Sequence, residues 1–344
     1  MNPMIYTIIL SSLATGTIIT MTSFHWLMAW VGLELNTLAI IPIISTSHHP
    51  RATEAATKYF LTQAAASAMI LFSSMINAWY TGSWDITQMS YAPSNTLLTM
   101  ALAMKLGLAP THFWLPEVLQ GSTLLTAFII TTWQKLAPMS LVYLTMNNLP
   151  PTILLTLGLI SSTIGGWGGL NQTQTRKIMA YSSIAHLGWM ATIASIMTNI
   201  MIMNLLIYLI MTTALFFSLI SSKSKTIQDT TTTWTISPIL TMIMMLTLLS
   251  LGGLPPLTGF LPKWLILEEL ITQNLIPLAT IMAMSALLSL FFYLRLAYTT
   301  TLTLSPNMLQ MKFKWRFKPA ILPTLMSFST TAIFFLPLTP LILL

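Results

Sequence analysis

Apolar stretches of about 20 residues, the length a helix needs to cross a bilayer, recur along this whole chain of 344 residues. Eleven such segments fall near 3–22, 24–45, 54–78, 95–117, 122–146, 151–170, 178–197, 200–220, 236–271, 275–298 and 320–341. They are not ten-residue segments of alternating polarity, so a β-barrel is not expected. With 55% hydrophobic residues, 6% charged residues and a mean hydropathy of +0.77, a soluble domain could not cover itself with polar surface. The expected fold is an all-α polytopic membrane protein.

Loop charge tests that count. Arg51 and Lys58 flank the second loop, Arg176 and Lys177 lie in the sixth, and Lys223 and Lys225 in the eighth. Lys312, Lys314, Arg316 and Lys318 lie in the tenth, within the run KFKWRFK. The odd-numbered loops carry no Lys or Arg, and the third carries only Asp85. All ten loop cations therefore share one side. The positive-inside rule makes that side the cytoplasm or its equivalent, the mitochondrial matrix, with the N-terminus there and the C-terminus opposite. Basic residues interleaved with aromatics beside a membrane belong to the headgroup layer, so the +7 charge is not read as a nucleic-acid surface.

Two segments are interrupted alike. Met104 to Pro116 reads MKLGLAPTHFWLP, and Leu251 to Trp264 reads LGGLPPLTGFLPKW. Gly107 aligns with Gly253, Pro110 with Pro256 and Pro116 with Pro262; Pro255 adds a second proline to the latter break. Proline removes a backbone donor and clashes with the preceding turn. A break inside a bilayer is tolerated only where it is buried in protein or lines a wet cavity, and paired breaks point to an ion or substrate path. The breaks lie in segments four and nine, an odd offset that turns the second copy upside down. The expected organisation is a single transmembrane domain over 1–344. It divides into two inverted five-helix repeats, 1–147 and 148–300, each with a discontinuous helix, followed by a basic loop and one C-terminal helix over 301–344.

Six ionisable residues remain at membrane depth: Glu34, Lys105, His112, Lys135, His186 and Lys263. A central charge costs roughly 2.5–3.5 kcal/mol on insertion scales, so each is a candidate functional residue. Glu34 is either a proton-relay carboxylate or a static counter-ion. Lys105, before the first break, and Lys135, central in segment five, are too deep to reach a surface, and lysine can be brought to a working pKa by desolvation. Lys263 follows the second break; it is either a relay lysine or an end-of-helix lysine reaching outward. His112 and His186 either bridge protons or satisfy polar helix contacts. Gly165, Gly166, Gly168 and Gly169 close segment six and suit close helix packing.

The chain has no cysteine. That excludes a cysteine-ligated iron–sulfur cluster, a thiol nucleophile and a disulfide. No dinucleotide fingerprint or metal-ligand cluster is present, so no cofactor or metal is expected on this chain. MNPMIYTIIL lacks a basic region before its apolar run and is not read as a signal or import sequence. Twenty-five methionines, many threonines and no cysteine match the bias of organelle-encoded membrane proteins.

Glu34 in WVGLELN, Lys105 before GLAPTHFWLPEV, Lys135 in TTWQKLAP and Lys263 after GLPPLTGFLP together resemble the antiporter-like subunits of respiratory complex I, in the shorter animal mitochondrial form. The resemblance covers essentially the whole chain. It implies a core membrane-arm subunit of proton-translocating NADH:ubiquinone oxidoreductase, in the mitochondrial inner membrane. NADH, FMN, iron–sulfur clusters and ubiquinone would be bound by other subunits. The implied partners are neighbouring antiporter-like and other membrane-arm subunits, in a hetero-oligomer, and lipids such as cardiolipin. Glu34 would pair with Lys105, Lys135 would be the central relay, Lys263 would release or reload, and His112 and His186 would bridge. The same residues would serve a stand-alone cation/proton antiporter, or a spacer whose charges only hold helices together.

Overall fold

The computed structural model describes residues 3–301 and 323–340. Among them the secondary structure is helical, with only two isolated β-bridges. The basic run at Lys312, Lys314, Arg316 and Lys318, and the ends of the eleventh segment, lie outside the described residues. Two compact units emerge: Met1–Ser161 with Leu187–Thr198, and Ser162–His186 with Asn199–Leu344.

The first unit holds α1 (Pro3–Thr22), α2 (Trp26–Ile44), α3 (Pro50–Thr81), α4 (Ala92–Leu106), α5 (Trp114–Gly121), α6 (Leu124–Thr131) and α7 (Trp133–Thr145). Helices α8 (Pro151–Gly168) and α9 (Thr175–Ala194) contribute a part to each unit. The second unit holds α10 (Thr198–Ser222), the short α11 (Ile227–Thr231) and α12 (Thr233–Ile236), α13 (Pro238–Gly252), α14 (Phe260–Thr272), α15 (Ile276–Thr301) and α16 (Pro323–Phe334). By length and composition α1, α2, α3, α10 and α15 are each sufficient to cross a membrane.

Loops of like parity meet. In the first unit the Trp26 amide donates to Trp84 O (3.1 Å) and the Ile86 amide to Phe24 O (3.0 Å), joining loops one and three. Asn148 Nδ2 donates to Thr87 O (2.7 Å), which adds loop five. Lys58 reaches Glu117 at 2.6 Å, tying the start of α3 to α5. In the second unit the Thr175 amide donates to Lys225 O (3.1 Å) and the Ile227 amide to Thr173 O (3.0 Å), so loops six and eight share an end.

Glycine sets the closest helix contacts. A Cβ on Gly16 would lie 2.9 Å from Gly32 O and 2.5 Å from Asn36 Oδ1. A Cβ on Gly158 would lie 2.8 Å from Gly188 O and 2.5 Å from Thr192 Cγ2. In both pairs the glycine of the first helix rests on a glycine carbonyl and on the residue four further along. Thus α1 on α2 and α8 on α9 pack by one recipe, with backbones approaching where no side chain intervenes. The glycine cluster of α8 behaves as expected: Gly165 and Gly168 face Ala185 and Tyr181 of α9, while Gly166 and Gly169 face Leu288 and Phe292 of α15.

Segment five differs from the single helix expected over 122–146. It is interrupted at Thr132, whose φ of −109° and ψ of −71° separate α6 from α7. Pro138 denies the Gln134 carbonyl its intrahelical donor. One turn earlier, the Thr131 hydroxyl donates to Ala127 O at 3.0 Å and the Thr132 hydroxyl to Phe128 O at 2.7 Å, a carbonyl that also accepts the Thr132 amide at 3.0 Å.

Candidate functional site

Both expected breaks form, and the half-helices before them end in matching glycine caps. Helix α4 ends at Gly107 (φ +80°) and α13 at Gly253 (φ +82°), each left-handed, a conformation open to glycine at little cost. The Leu108 amide donates back to Ala103 O (2.9 Å) and the Leu254 amide to Leu249 O (3.4 Å). These bonds span corresponding positions and have the six-residue reach of a Schellman cap. Pro110, Pro255 and Pro256 lie in the non-helical links. Pro116 and Pro262 stand instead at the third position of α5 and α14, where the backbone N–H has no intrahelical partner. They shape the start of the second half-helix and do not themselves end the first.

The freed carbonyls find different donors. At the first break Trp114 Nε1 donates to Met104 O at 3.2 Å. At the second, Lys263 Nζ donates to Gly252 O at 2.9 Å and lies 3.5 Å from Leu251 O. Lys263 therefore folds back over the end of α13, where exposed carbonyls and the negative end of the helix dipole hold an ammonium. It is not a lysine reaching outward. A Cβ on Gly253 would lie 3.1 Å from its Nζ, so glycine there serves both the turn and the approach of the lysine.

In the first unit Lys105 and Lys135 are buried, at 6% and 5% exposure, and line one cavity with Asn36, Tyr59, Gln63 and Gln134. It has about 20 Å³ of room for the centre of a water molecule, enough for one such molecule. Lys105 sits in the last turn of α4 and Lys135 in the first turn of α7, so each lysine belongs to a helix end. Lys105 Nζ, Asn36 Nδ2, Asn36 Oδ1 and Gln63 Nε2 are buried without a hydrogen-bond partner in the chain. Gln134 Nε2 donates to Asn36 O at 3.2 Å and closes the cavity between α2 and α7.

Glu34, half-buried in α2, lies within coulombic reach of Lys105. The two make no direct hydrogen bond, and Glu34 Oε2 is also buried without a partner in the chain. His112, 4% exposed in the first break, is not part of the cavity lining; its ring centre lies 4.3 Å from that of Phe113 and its Nδ1 has no partner in the chain.

His186 belongs to the second unit. Its Nε2 lies 3.5 Å from Tyr293 Oη, and its ring centre lies 5.5 Å from that of Tyr208. Both tyrosines are 1% exposed. Sequence reasoning passes over Tyr208, Tyr293, Trp114 and Gln134, because an aromatic or an amide within an apolar segment looks like packing. Their positions opposite polar groups are the missing signal. Among the described residues no cluster of metal-ligating side chains occurs.

Residues 23–289 match the family model for the transmembrane part of NADH:quinone oxidoreductase and Mrp antiporters. Residues 290–343 match that for the C-terminus of NADH dehydrogenase subunit 2. NADH-ubiquinone oxidoreductase chain 2 of Polypterus ornatipinnis is 57% identical over 99% of this chain and 98% of its own length. That of Latimeria chalumnae is 56% identical over 99% and 98%. A chain of respiratory complex I from Thermus thermophilus, solved with bound aureothin, superimposes with a TM-score of 0.84 at 25% identity, covering 98% of this chain and 79% of that one. A chain of the Mrp complex from Dietzia sp. DQ12-45-1b gives 0.77 at 17% identity, over 86% and 60%. With its interrupted helices, its buried lysines and its full-length likeness to these proteins, the chain belongs to the NADH:quinone oxidoreductase/Mrp antiporter transmembrane family.

Proposed function

We propose that this chain is a core membrane-arm subunit of respiratory complex I and takes part in proton translocation coupled to NADH oxidation and ubiquinone reduction. The observation that carries the reading is the pair Lys105 and Lys135, buried on two helix ends around one water-sized cavity. A structural core has little use for two ammonium groups there. A relay needs them, because desolvation and a movable partner such as Glu34 let a lysine exchange its proton.

In this reading Glu34 moves toward and away from Lys105, and each approach or departure favours or disfavours the charged lysine. Lys135 takes up the proton across the shared cavity, with Gln63, Asn36 and Gln134 orienting the water between them. His112 serves the first break. In the second unit Lys263 and His186 form a further exchange centre. The chain itself carries no redox centre; NADH, FMN, iron–sulfur clusters and ubiquinone belong to other subunits.

Eleven spanning segments, in two inverted five-helix repeats plus a C-terminal helix, complete the proposal. The matched caps at Gly107 and Gly253 and the matched glycine contacts of α1–α2 and α8–α9 support the repeat. The meeting of like-parity loops supports the count. The N-terminus would face the matrix and the C-terminus the intermembrane space of the mitochondrial inner membrane. Neighbouring antiporter-like subunits and lipids such as cardiolipin would cover the apolar flanks. Likeness over the full length of NADH-ubiquinone oxidoreductase chains, against 60% of the Mrp chain, favours the subunit over a stand-alone antiporter.

The test is an assembled complex carrying Lys135→Met. Protons pumped per NADH oxidised should fall, and normal pumping would remove the direct role of the lysine.

A further inference from the structure

The second break is held by the last described helix of its unit. Thr258 lies in the link between α13 and α14, 1% exposed, and its hydroxyl donates to Ala332 O of α16. Ala332 stands two residues before the end of α16, among the carbonyls that a helix leaves without an intrahelical donor. One bond thus satisfies a buried hydroxyl and a buried helix end. Helix α16 meets its unit along a narrow stripe. Leu325, Ser329 and Ala332 are buried, at spacings of four and three, while Met326, Phe328 and Phe334 stand exposed. It packs against α13, and the Phe328 ring centre lies 5.7 Å from that of Phe217 in α10.

The next residue of the link settles onto α13. A Cβ on Gly259 would lie 1.8 Å from Ser250 O and 3.2 Å from Met211 Sδ, so a side chain has no room there. Gly259 is also the N-cap of α14, and Lys263 is the fourth residue of that helix. Thr258 and Gly259 together therefore fix where α14 starts. The Lys263 Nζ–Gly252 O contact of 2.9 Å spans this joint, with its acceptor at the end of α13 and its donor near the start of α14. The first break is closed from within, by Trp114 Nε1 on Met104 O. With Gly107 aligned on Gly253, the counterpart of Trp114 is Phe260, which has no side-chain donor.

We infer that Thr258 is a positioning residue for Lys263 and that α16 is the strap through which it acts: the Thr258–Ala332 bond sets the start of α14, and with it the reach of the Lys263 ammonium to the end of α13. A shift of about 1 Å at that joint would carry the ammonium out of hydrogen-bonding range. The inference rests on the proton-translocation reading and assigns a role inside it.

The assembled complex carrying Thr258→Val tests it, with Lys263→Met, the double variant and Lys135→Met in parallel. Valine keeps the shape of the side chain and removes the hydroxyl. NADH-driven pumping should fall about fivefold, the effect of one hydrogen bond of ordinary strength. Thr258→Ser, which keeps the donor, should restore most of it. If Thr258 acts through Lys263, the double variant should pump as well as Lys263→Met alone, whereas two independent losses would multiply. Multiplied losses overturn the inference. So does normal pumping with Thr258→Val while Lys135→Met loses its own. A Lys263→Met complex that pumps normally leaves Thr258 nothing to position and overturns it too. If Lys135→Met pumps normally, the underlying reading fails. Should Thr258→Val not assemble, Ala332→Leu decides. It forces α16 away from the link and leaves every residue of the break in place, and unaltered pumping overturns the inference.

Discussion

The Lys263 ammonium lies 2.9 Å from the Gly252 carbonyl, eleven residues back along the chain and across a helix break. At the corresponding break of the first unit, the donor to a freed carbonyl is the Trp114 indole, on Met104. One architectural problem, a half-helix ending inside an apolar protein, thus has a neutral solution and a charged one. The charged one places an ionisable group where its position and the helix end depend on each other.

Replacing Lys263 by Met should therefore cost stability as well as charge. A hydrogen bond to a charged group contributes about 1.5–3 kcal/mol, and here its loss leaves end-of-helix carbonyls without a donor. Thermal unfolding of the assembled complex should show the loss, and Lys263→Arg should recover most of it. A lysine that merely reached outward would tolerate Met with an unchanged melting temperature.

Three glycines with positive φ separate strain from contact. Gly82 has φ +73° with nothing within 4 Å of a Cβ, whereas Gly253 has φ +82° with Lys263 atoms at 3.0–3.3 Å. Alanine at Gly82 should cost about 1 kcal/mol, the left-handed penalty alone. Alanine at Gly253 should cost more, and should displace Lys263 with the same loss of coupled turnover as Lys263→Met. Gly107→Ala, which meets Leu115 and Trp114 side chains, should fall between them. Equal costs at all three positions would remove the contact argument.

What could be read in the sequence follows from which signals are local. Gly107 and Gly253, the prolines after them and the all-helical character of the apolar stretches are legible because hydropathy and backbone sterics act within a few residues. The six ionisable residues are legible because charge in an apolar segment is costly wherever it points. The interruption at Thr132 is not, since Pro138 lies a turn and a half beyond it, and the Thr131 and Thr132 hydroxyls bond back to carbonyls as ordinary helix residues do. Nor is the geometry of Glu34 and Lys105, whose pairing the resemblance implied: the two lie in coulombic reach without a direct hydrogen bond. Contacts such as Tyr293 with His186 join residues 107 apart, and no periodicity marks them.

The eighth loop carries a pH-sensitive cap. Asp229 Oδ2 accepts from the amides of Thr226 (2.8 Å) and Lys225 (3.0 Å), while the Asp229 amide donates to Thr226 Oγ1 (3.2 Å). Burial by itself would raise the Asp229 carboxyl, but these bonds and the Lys225 charge hold it below its ordinary value. A depressed carboxyl stabilises the fold above its unfolded value of about 3.9, and that contribution is lost as pH falls through the lower folded value. Amide exchange at Thr226 and Lys225 should accelerate in that acid window. Asp229→Asn should remove the pH dependence, and Thr226→Ala should cost the α11 cap about 1 kcal/mol.

Lys105 makes the opposite prediction for stability. Its ammonium is buried at 6% exposure with no hydrogen-bond partner in the chain, and Glu34 is in coulombic reach without touching it. A static structural ion pair would lose about 3–5 kcal/mol when one partner is removed, because the other charge stays buried. A relay lysine held apart from its partner has already forgone most of that attraction. Lys105→Met should then leave the melting temperature of the complex unchanged or raised, since an apolar side chain of similar length removes a desolvated charge. Proton pumping per NADH should fall in the same preparation. A large drop in melting temperature that Glu34→Gln restores in the double variant would instead identify the pair as structural, because pairing energy would then have outweighed burial.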